Sequence, residues 1–172
     1  MIKNQKSQKG FTIIEVALVL AVGALIFLVV FLAVPALQRN QRNDARKRDQ
    51  SSVVEAVTSY TSNNPAKKLT SVTNENAYTA GAPATTNWLG KYLDQLSNNT
   101  EEVAVKNNTT TVPTVGDTSD DKDTAKKTIY VLTGATCNSD GKTTKKGTAK
   151  QAAVISFQET AAGVDAVCSS AN

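Results

Sequence analysis

The chain contains no histidine, and that absence removes much of enzyme chemistry at once. Without an imidazole there is no Ser-His-Asp triad and no Cys-His pair. Cysteine is scarce as well. Only Cys137 and Cys168 are present, with no C-x-x-C redox motif, and two distant thiols without histidine do not make a zinc site. The nine glycines form no phosphate-cradling loop. Aromatics make up 5% of the residues, too few to interleave with basic side chains in a base-stacking surface. One acidic stretch, Asp117-Thr118-Ser119-Asp120-Asp121-Lys122-Asp123, offers carboxylates to a hard cation such as calcium. It lacks the central glycine and closing glutamate of a calcium loop, so Asp117, Asp120, Asp121 and Asp123 read as a solvated acidic loop. No catalytic residue, cofactor or metal is expected.

What the chain does have is one long apolar run behind a short basic leader. The junction reads Lys9-Gly10-Phe11-Thr12-Ile13-Ile14-Glu15, and from Phe11 to Leu37 the only polar side chains are Thr12 and Glu15. About 20 apolar helical residues suffice to cross a bilayer. A carboxylate in such a segment costs a few kcal/mol unless it is neutralised, so Glu15 requires a partner. A conventional secretory signal has an apolar core of roughly 7–15 residues followed by a small-residue cleavage site, which Ala33-Val34-Pro35-Ala36 imitates only loosely. An uncleaved membrane anchor explains the length but not the placement of Glu15 or of the Gly-Phe junction.

This segment closely resembles the N-terminus of type IV prepilins. Lys3, Lys6 and Lys9 form a positive leader, Gly10 stands at the cleavage site, Phe11 opens the mature chain, and Glu15 is its fifth residue. The resemblance is specific from Met1 to about Leu37 and architectural beyond it. It implies that a membrane prepilin peptidase cuts after Gly10 and N-methylates the new amine of Phe11. Glu15 stands one helical turn from that amine and would pair with it within one chain or, as helices bundle, with the ammonium of a neighbouring subunit. Pairing would relieve a desolvation penalty that each lone subunit carries in lipid.

The implied partners are further copies of the chain in a helical homopolymer, the peptidase, a platform protein and a cytoplasmic assembly ATPase. The cytoplasmic membrane would hold the precursor, and an extracellular filament the product, serving adhesion, twitching motility or DNA uptake. A pseudopilin of a type II secretion or competence system would share the same N-terminal signature. A membrane-anchored module binding surfaces or DNA is the alternative of another class. Pilins often carry a proline in the apolar helix, and Pro35, which denies a bond to the Phe31 carbonyl, would loosen or kink it there. Many also carry a disulfide near the C-terminus, which places one between Cys137 and Cys168, where a small exported domain gains from a staple.

The expected fold is α+β, a long N-terminal helix on a small, mainly antiparallel sheet, the ladle arrangement of pilins. Four parts follow: leader 1–10, apolar helix 11–37, exposed helical continuation 38–62, and extracellular domain 63–172. Gln38 to Gln50 is polar but free of glycine and proline. Val53, Val54, Ala56, Val57 and Tyr60 then restore an apolar face, so one helix is expected from about Thr12 to Ser62, stopped by Asn63-Asn64-Pro65. Arg39, Arg42, Arg46, Lys47 and Arg48 form a basic cluster that reads first as a solvated helix face, and otherwise as a contact for lipid head groups or acidic neighbours. By lysine and arginine count alone it contests the orientation that the leader suggests.

Trp88, Leu89, Tyr92, Leu93 and Leu96 suggest a core-packing helix over 84–98. Strand content marks 103–105, 128–133 and 152–158, with turns at Asp140-Gly141 and Lys146-Gly147. Asn98, Asn107 and Asn108 lie in Asn-x-Thr patterns that an Asn- and Thr-rich domain generates by chance. The net charge of +4 falls to about +1 once Lys3, Lys6 and Lys9 leave with the leader. Lys142, Lys145, Lys146 and Lys150 form a minor basic patch that reads as a solubilising face before it reads as a site for DNA or acidic surfaces.

Overall fold

The computed structural model describes residues 10–72, 75–79, 81–113 and 127–172. It divides into two compact units, Met1–Gln38 and Arg39–Asn172. One helix, α1 (Ile13–Asn63), contributes to both. Its start and end lie one residue from the expected ones. Pro65 has no N–H to continue the helix, and Asn64 closes it by donating both its backbone N–H and its side-chain amide to the Tyr60 carbonyl at 3.0 Å. Helical backbone runs through Pro35.

In the first unit every described side chain from Phe11 to Leu37 is exposed. Phe11 and Ile13 are 88% and 90% accessible, and Phe27 and Leu32 are 72% and 70%. A helix apolar all round is stable only where something else covers it.

The second unit is a sheet with the remainder of α1 on one face. Strands β1 (Glu75–Thr79), β2 (Ala82–Pro83), β3 (Glu102–Asn107), β4 (Thr128–Thr133), β7 (Ala152–Glu159) and β8 (Val164–Ala171) form it in the order β2-β1-β3-β4-β7-β8. All neighbours are antiparallel except β3 and β4, which run parallel from Glu102↔Thr128 to Asn107↔Thr133. A parallel pair needs a connection of a dozen or more residues, and 108–127 provides it. A second, two-stranded sheet joins β5 (Ala135–Cys137) to β6 (Thr144–Lys146).

Period-two alternation sends side chains to two cores. Val103, Val105, Ile129, Val131 and Val154 meet Val53, Ala56, Val57 and Tyr60 of α1, together with Leu69, Tyr78, Leu89, Leu93 and Leu96. On the other face Ala104, Tyr130, Leu132, Ala153, Ile155 and Phe157 pack with Ala135, Cys137 and Cys168. Fully burying each large aliphatic side chain contributes about 1.5–3 kcal/mol.

Three sequence expectations are corrected. The helix expected over 84–98 is a loop with only a 3-10 turn at Gly90–Tyr92. Its apolar stripe is buried as expected, but the Asn87 side chain accepts the Leu89 and Gly90 N–H groups at 2.7 and 3.3 Å and turns the chain there. Leu93 is then already extended. At Gly90 a Cβ would stand 2.2 Å from the Ala84 carbonyl oxygen, so the close approach itself needs glycine. Lys146-Gly147 is no turn, because the Gly147 N–H donates to the Gly134 carbonyl at 2.8 Å and prolongs the β5–β6 pairing. The chain turns instead over Thr148–Gln151. The third correction concerns the arginine cluster, described below. Asp140-Gly141 does turn: Asp140 Oδ1 accepts the N–H groups of Lys142 and Thr143 at 2.9 Å, and Gly141 has φ 64°.

Candidate functional site

At the start of α1 the junction residues form a capping box. Glu15 Oε2 accepts the backbone N–H and the hydroxyl of Thr12, each at 2.9 Å, and Thr12 Oγ1 accepts the Glu15 N–H at 3.3 Å. Thr12 is the N-cap and Glu15 the third helical residue, so two otherwise orphaned N–H groups are satisfied reciprocally. The pattern Thr-x-x-Glu before an apolar run is a sequence-level signature of this motif. The expected partner for Glu15 was an ammonium, of its own chain or of a neighbour; the partner present here is Thr12, three residues away. The carboxylate of a lone chain is thus already engaged, and any external cation competes with Thr12.

Gly10 and Phe11 precede the cap and are exposed. A Cβ added at Gly10 would meet nothing within 4 Å, and its φ is not in the left-handed region. Among the described residues, nothing in the packing requires glycine at position 10. A requirement there has to come from a molecule that reads the junction.

The basic cluster beyond residue 38 is a solvated face only at Lys47 and Arg48; Arg39, Arg42 and Arg46 turn to the sheet. Arg39, Arg42, Asn43, Arg46, Asp49 and Gln50 recur at helical spacing and lie against the sheet. Arg46 is 4% exposed and Asp49 6%. Arg42 grips Glu159 with both forks, Nε to Oε1 at 3.1 Å and Nη2 to Oε2 at 2.6 Å, and Arg46 Nη2 adds a bond to Oε1 at 2.9 Å. The Arg42 guanidinium first, and then Arg46, hold the Glu159 carboxyl at about 2, against an opposing push from burial.

Asn43 works as a short piece of strand. Its amide donates to the Glu159 carbonyl at 2.8 Å and its oxygen accepts the Glu159 N–H at 2.9 Å. Gln50 Nε2 bridges β7 and β8 through the Val154 and Val167 carbonyls at 2.8 and 2.9 Å, while its oxygen accepts the Ser156 hydroxyl. Asp49 accepts from Ser97 twice and from Thr100, tying down the 97–100 loop. Residues 39–50 therefore dock by hydrogen bonds and ion pairs, and residues 53–60 by apolar burial. Lys47 and Arg48 remain exposed.

Cys137 and Cys168 are bonded, with Cα atoms 5.8 Å apart. The bond fastens the β5–β6 hairpin to β8, beside hydrogen bonds from Cys168 N–H to the Gly141 carbonyl and from Cys137 N–H to Ser170 Oγ. Asp117, Asp120, Asp121 and Asp123 lie outside the described residues. Among the described residues no cluster of three or more acidic, histidine or cysteine side chains stands ready for a metal. Two of the Asn-x-Thr patterns do structural work: Thr100 donates to buried Asp49, and Asn107 bridges Thr70 and Thr133.

Residues 5–31 match the prokaryotic N-terminal methylation motif, the class III signal of type IV pilins. The match covers the second half of the leader, the Gly10-Phe11 junction, Glu15 and most of the apolar run. No curated protein and no solved structure matches the chain. The motif supports a prepilin of the type IV pilin or pseudopilin kind, and the helix-on-sheet architecture is that of pilins.

Proposed function

We propose that this chain is the structural subunit of a type IV pilus, cut after Gly10 by a prepilin peptidase, N-methylated on Phe11 and polymerised through its apolar helix. The observation that carries the proposal is the uncovered apolar surface from Phe11 to Leu37, most of which lies within the methylation motif matched at residues 5–31. In the membrane, lipid covers that surface. In a filament, other copies of the same helix cover it, and a cytoplasmic ATPase with a platform protein would supply the work of extraction. The resulting surface filament serves adhesion, twitching motility or DNA uptake.

Glu15 is the residue that favours assembly. Its carboxylate exchanges the Thr12 cap of the lone chain for the Phe11 ammonium of a neighbour, a charged partner in a dry environment. The test is Glu15→Gln in the producing cell, followed by electron microscopy of sheared surface material and by an immunoblot for leader removal. Processing is expected to persist while filaments fall to a small fraction of wild type. Normal filament yield would overturn the role of Glu15. Loss of secretion or transformation without long filaments, on deletion of the gene, would assign the chain to the pseudopilins. An uncut leader would leave a membrane-anchored binding module.

A further inference from the structure

The capping box at the start of α1 also fixes where that helix begins. Gly10, Phe11 and Thr12 lie outside it, and the helix starts at Ile13. The first rung of its ladder runs from the Val16 N–H to the Thr12 carbonyl, at 3.3 Å. One rung earlier, the Glu15 N–H would donate to the Phe11 carbonyl, four residues back. It donates instead to Thr12 Oγ1, at 3.3 Å. The Thr12 N–H would turn back toward the leader in a longer helix, and Glu15 Oε2 holds it at 2.9 Å. The box thus takes up two N–H groups that a longer helix would use. Among the described residues no hydrogen bond anchors Gly10 or Phe11, and a Cβ at Gly10 would meet nothing within 4 Å. Within the described chain, the cap is what keeps the junction out of the helix.

That boundary matters for the bond to be cut. Hydrolysis adds water to the Gly10 carbonyl carbon, breaks its bond to the Phe11 nitrogen, and leaves a Gly10 carboxylate and a Phe11 ammonium. The enzyme has to reach that carbonyl and place donors on its oxygen as negative charge develops. A carbonyl inside a helix already holds an N–H and is walled in by the turns around it. We propose that Thr12 is a positioning residue for leader removal: its capping box ends α1 at Ile13 and so presents the Gly10–Phe11 bond as open chain. This role presupposes that a prepilin peptidase cuts after Gly10, as proposed above. Thr12 needs no contact with the attacking water and acts through the backbone that it terminates.

Without the cap the helix has two ways to respond. Fraying toward its C-terminal end leaves N–H groups unpaired in apolar surroundings, which is heavily penalised. Lengthening into the polar leader satisfies them and takes the scissile bond into helical backbone. The second response prevails, so only a fraction of the precursor then offers open chain. A substrate whose competent form is fractionally populated shows a KM raised in inverse proportion, with kcat unchanged at saturation. Glutamine completes a capping box as glutamate does, which is why Glu15→Gln is expected to be processed.

The experiment presents the full-length precursor, in non-ionic detergent, to membranes of the producing cell. Loss of residues 1–10 is followed by mass over a range of precursor concentrations. Thr12→Ala and Thr12→Val are expected to raise KM about fivefold, the population equivalent of a typical N-cap, with kcat unchanged. Thr12→Ser and Thr12→Asn are expected to behave as wild type. Valine keeps the shape of threonine without the oxygen, and asparagine keeps a capping oxygen without the shape. Carbon chemical shifts of labelled Gly10 and Phe11 give an independent readout, with helical values expected in Thr12→Ala and non-helical ones in wild type and Thr12→Asn. Wild-type precursor left uncut overturns the cleavage reading itself, and this role with it. Wild type cut after Gly10, with Thr12→Ala unchanged in KM, overturns the role of Thr12 alone. So does a fall in kcat at unchanged KM, or a Thr12→Asn variant as slow as Thr12→Ala, since either means that the peptidase reads the hydroxyl directly. Non-helical shifts at Gly10 and Phe11 in Thr12→Ala overturn it as well.

Discussion

Replacing Glu159 by glutamine tests the polar docking of α1 against the sheet. Glu159 sits under Arg42 and the buried Arg46, its carboxyl held at about 2 rather than 4.5. A displacement of that size corresponds to about 3 kcal/mol of differential stabilisation of the ionised form. Arg42 is 40% exposed, so part of its contribution is screened by solvent, and about 2–3 kcal/mol is the expected loss in Glu159→Gln at neutral pH. The sign follows from the lowered folded value. The contribution is fully present above about pH 5, where the unfolded carboxyl is also ionised, and drains away as pH falls toward 2. Wild type and Glu159→Gln should therefore differ most at pH 6–7 and converge near pH 2. The assay is urea unfolding of the detergent-solubilised protein, followed by the fluorescence of Trp88. That is the chain's single tryptophan, its ring 4.5 Å from Tyr60 of α1, so its emission reports on helix–sheet contact. Equal midpoints at neutral pH, or a gap between the two proteins that does not narrow in acid, would refute the assigned role of Glu159.

Three further outcomes are expected. Val57→Ala, at a fully buried position facing the sheet, should cost about 2 kcal/mol in the same urea assay with no dependence on pH, since the loss is apolar. Cys137→Ser should lower stability by about 3.5–4 kcal/mol in the chain-entropy model for a 31-residue separation, read as a lower thermal midpoint that matches the reduced wild type. Gly10→Val should leave the thermal midpoint unchanged, because open space surrounds that position, yet abolish leader removal on an immunoblot. A stability loss there would mean that Gly10 serves the fold rather than a peptidase.

The parts of the fold legible in the sequence are those in which a local pattern is sufficient. The helix from Ile13 to Asn63 follows from an unbroken apolar run, a polar stretch without breakers and the Asn64-Pro65 stop. Strands β3, β4 and β7 announce themselves through their β-branched and aromatic content. Strand β8 does not: Val164-Asp165-Ala166-Val167-Cys168-Ser169-Ser170-Ala171 has little intrinsic strand preference and takes its form from eight residue pairs with β7. The stripe at 88–96 fails for the opposite reason. Its spacing satisfies a helix, but a loop pinned by Asn87 buries the same leucines.

At the site, Gly10, Phe11 and Glu15 are visible in sequence because their spacing is local. The Thr12 cap is equally local and readable by the same logic. The docking arginines are invisible, because their meaning depends on Glu159, more than a hundred residues away. Charged side chains on a helix are solvated far more often than they are buried.

The most direct measurement is mass spectrometry of the native N-terminus, on protein mechanically sheared from the cell surface. A peptide beginning with N-methylated Phe11 is expected, and it would establish processing after Gly10, export and release as a filament together. Recovery only from membranes, with Met1 to Gly10 still attached, would contradict the pilus assignment.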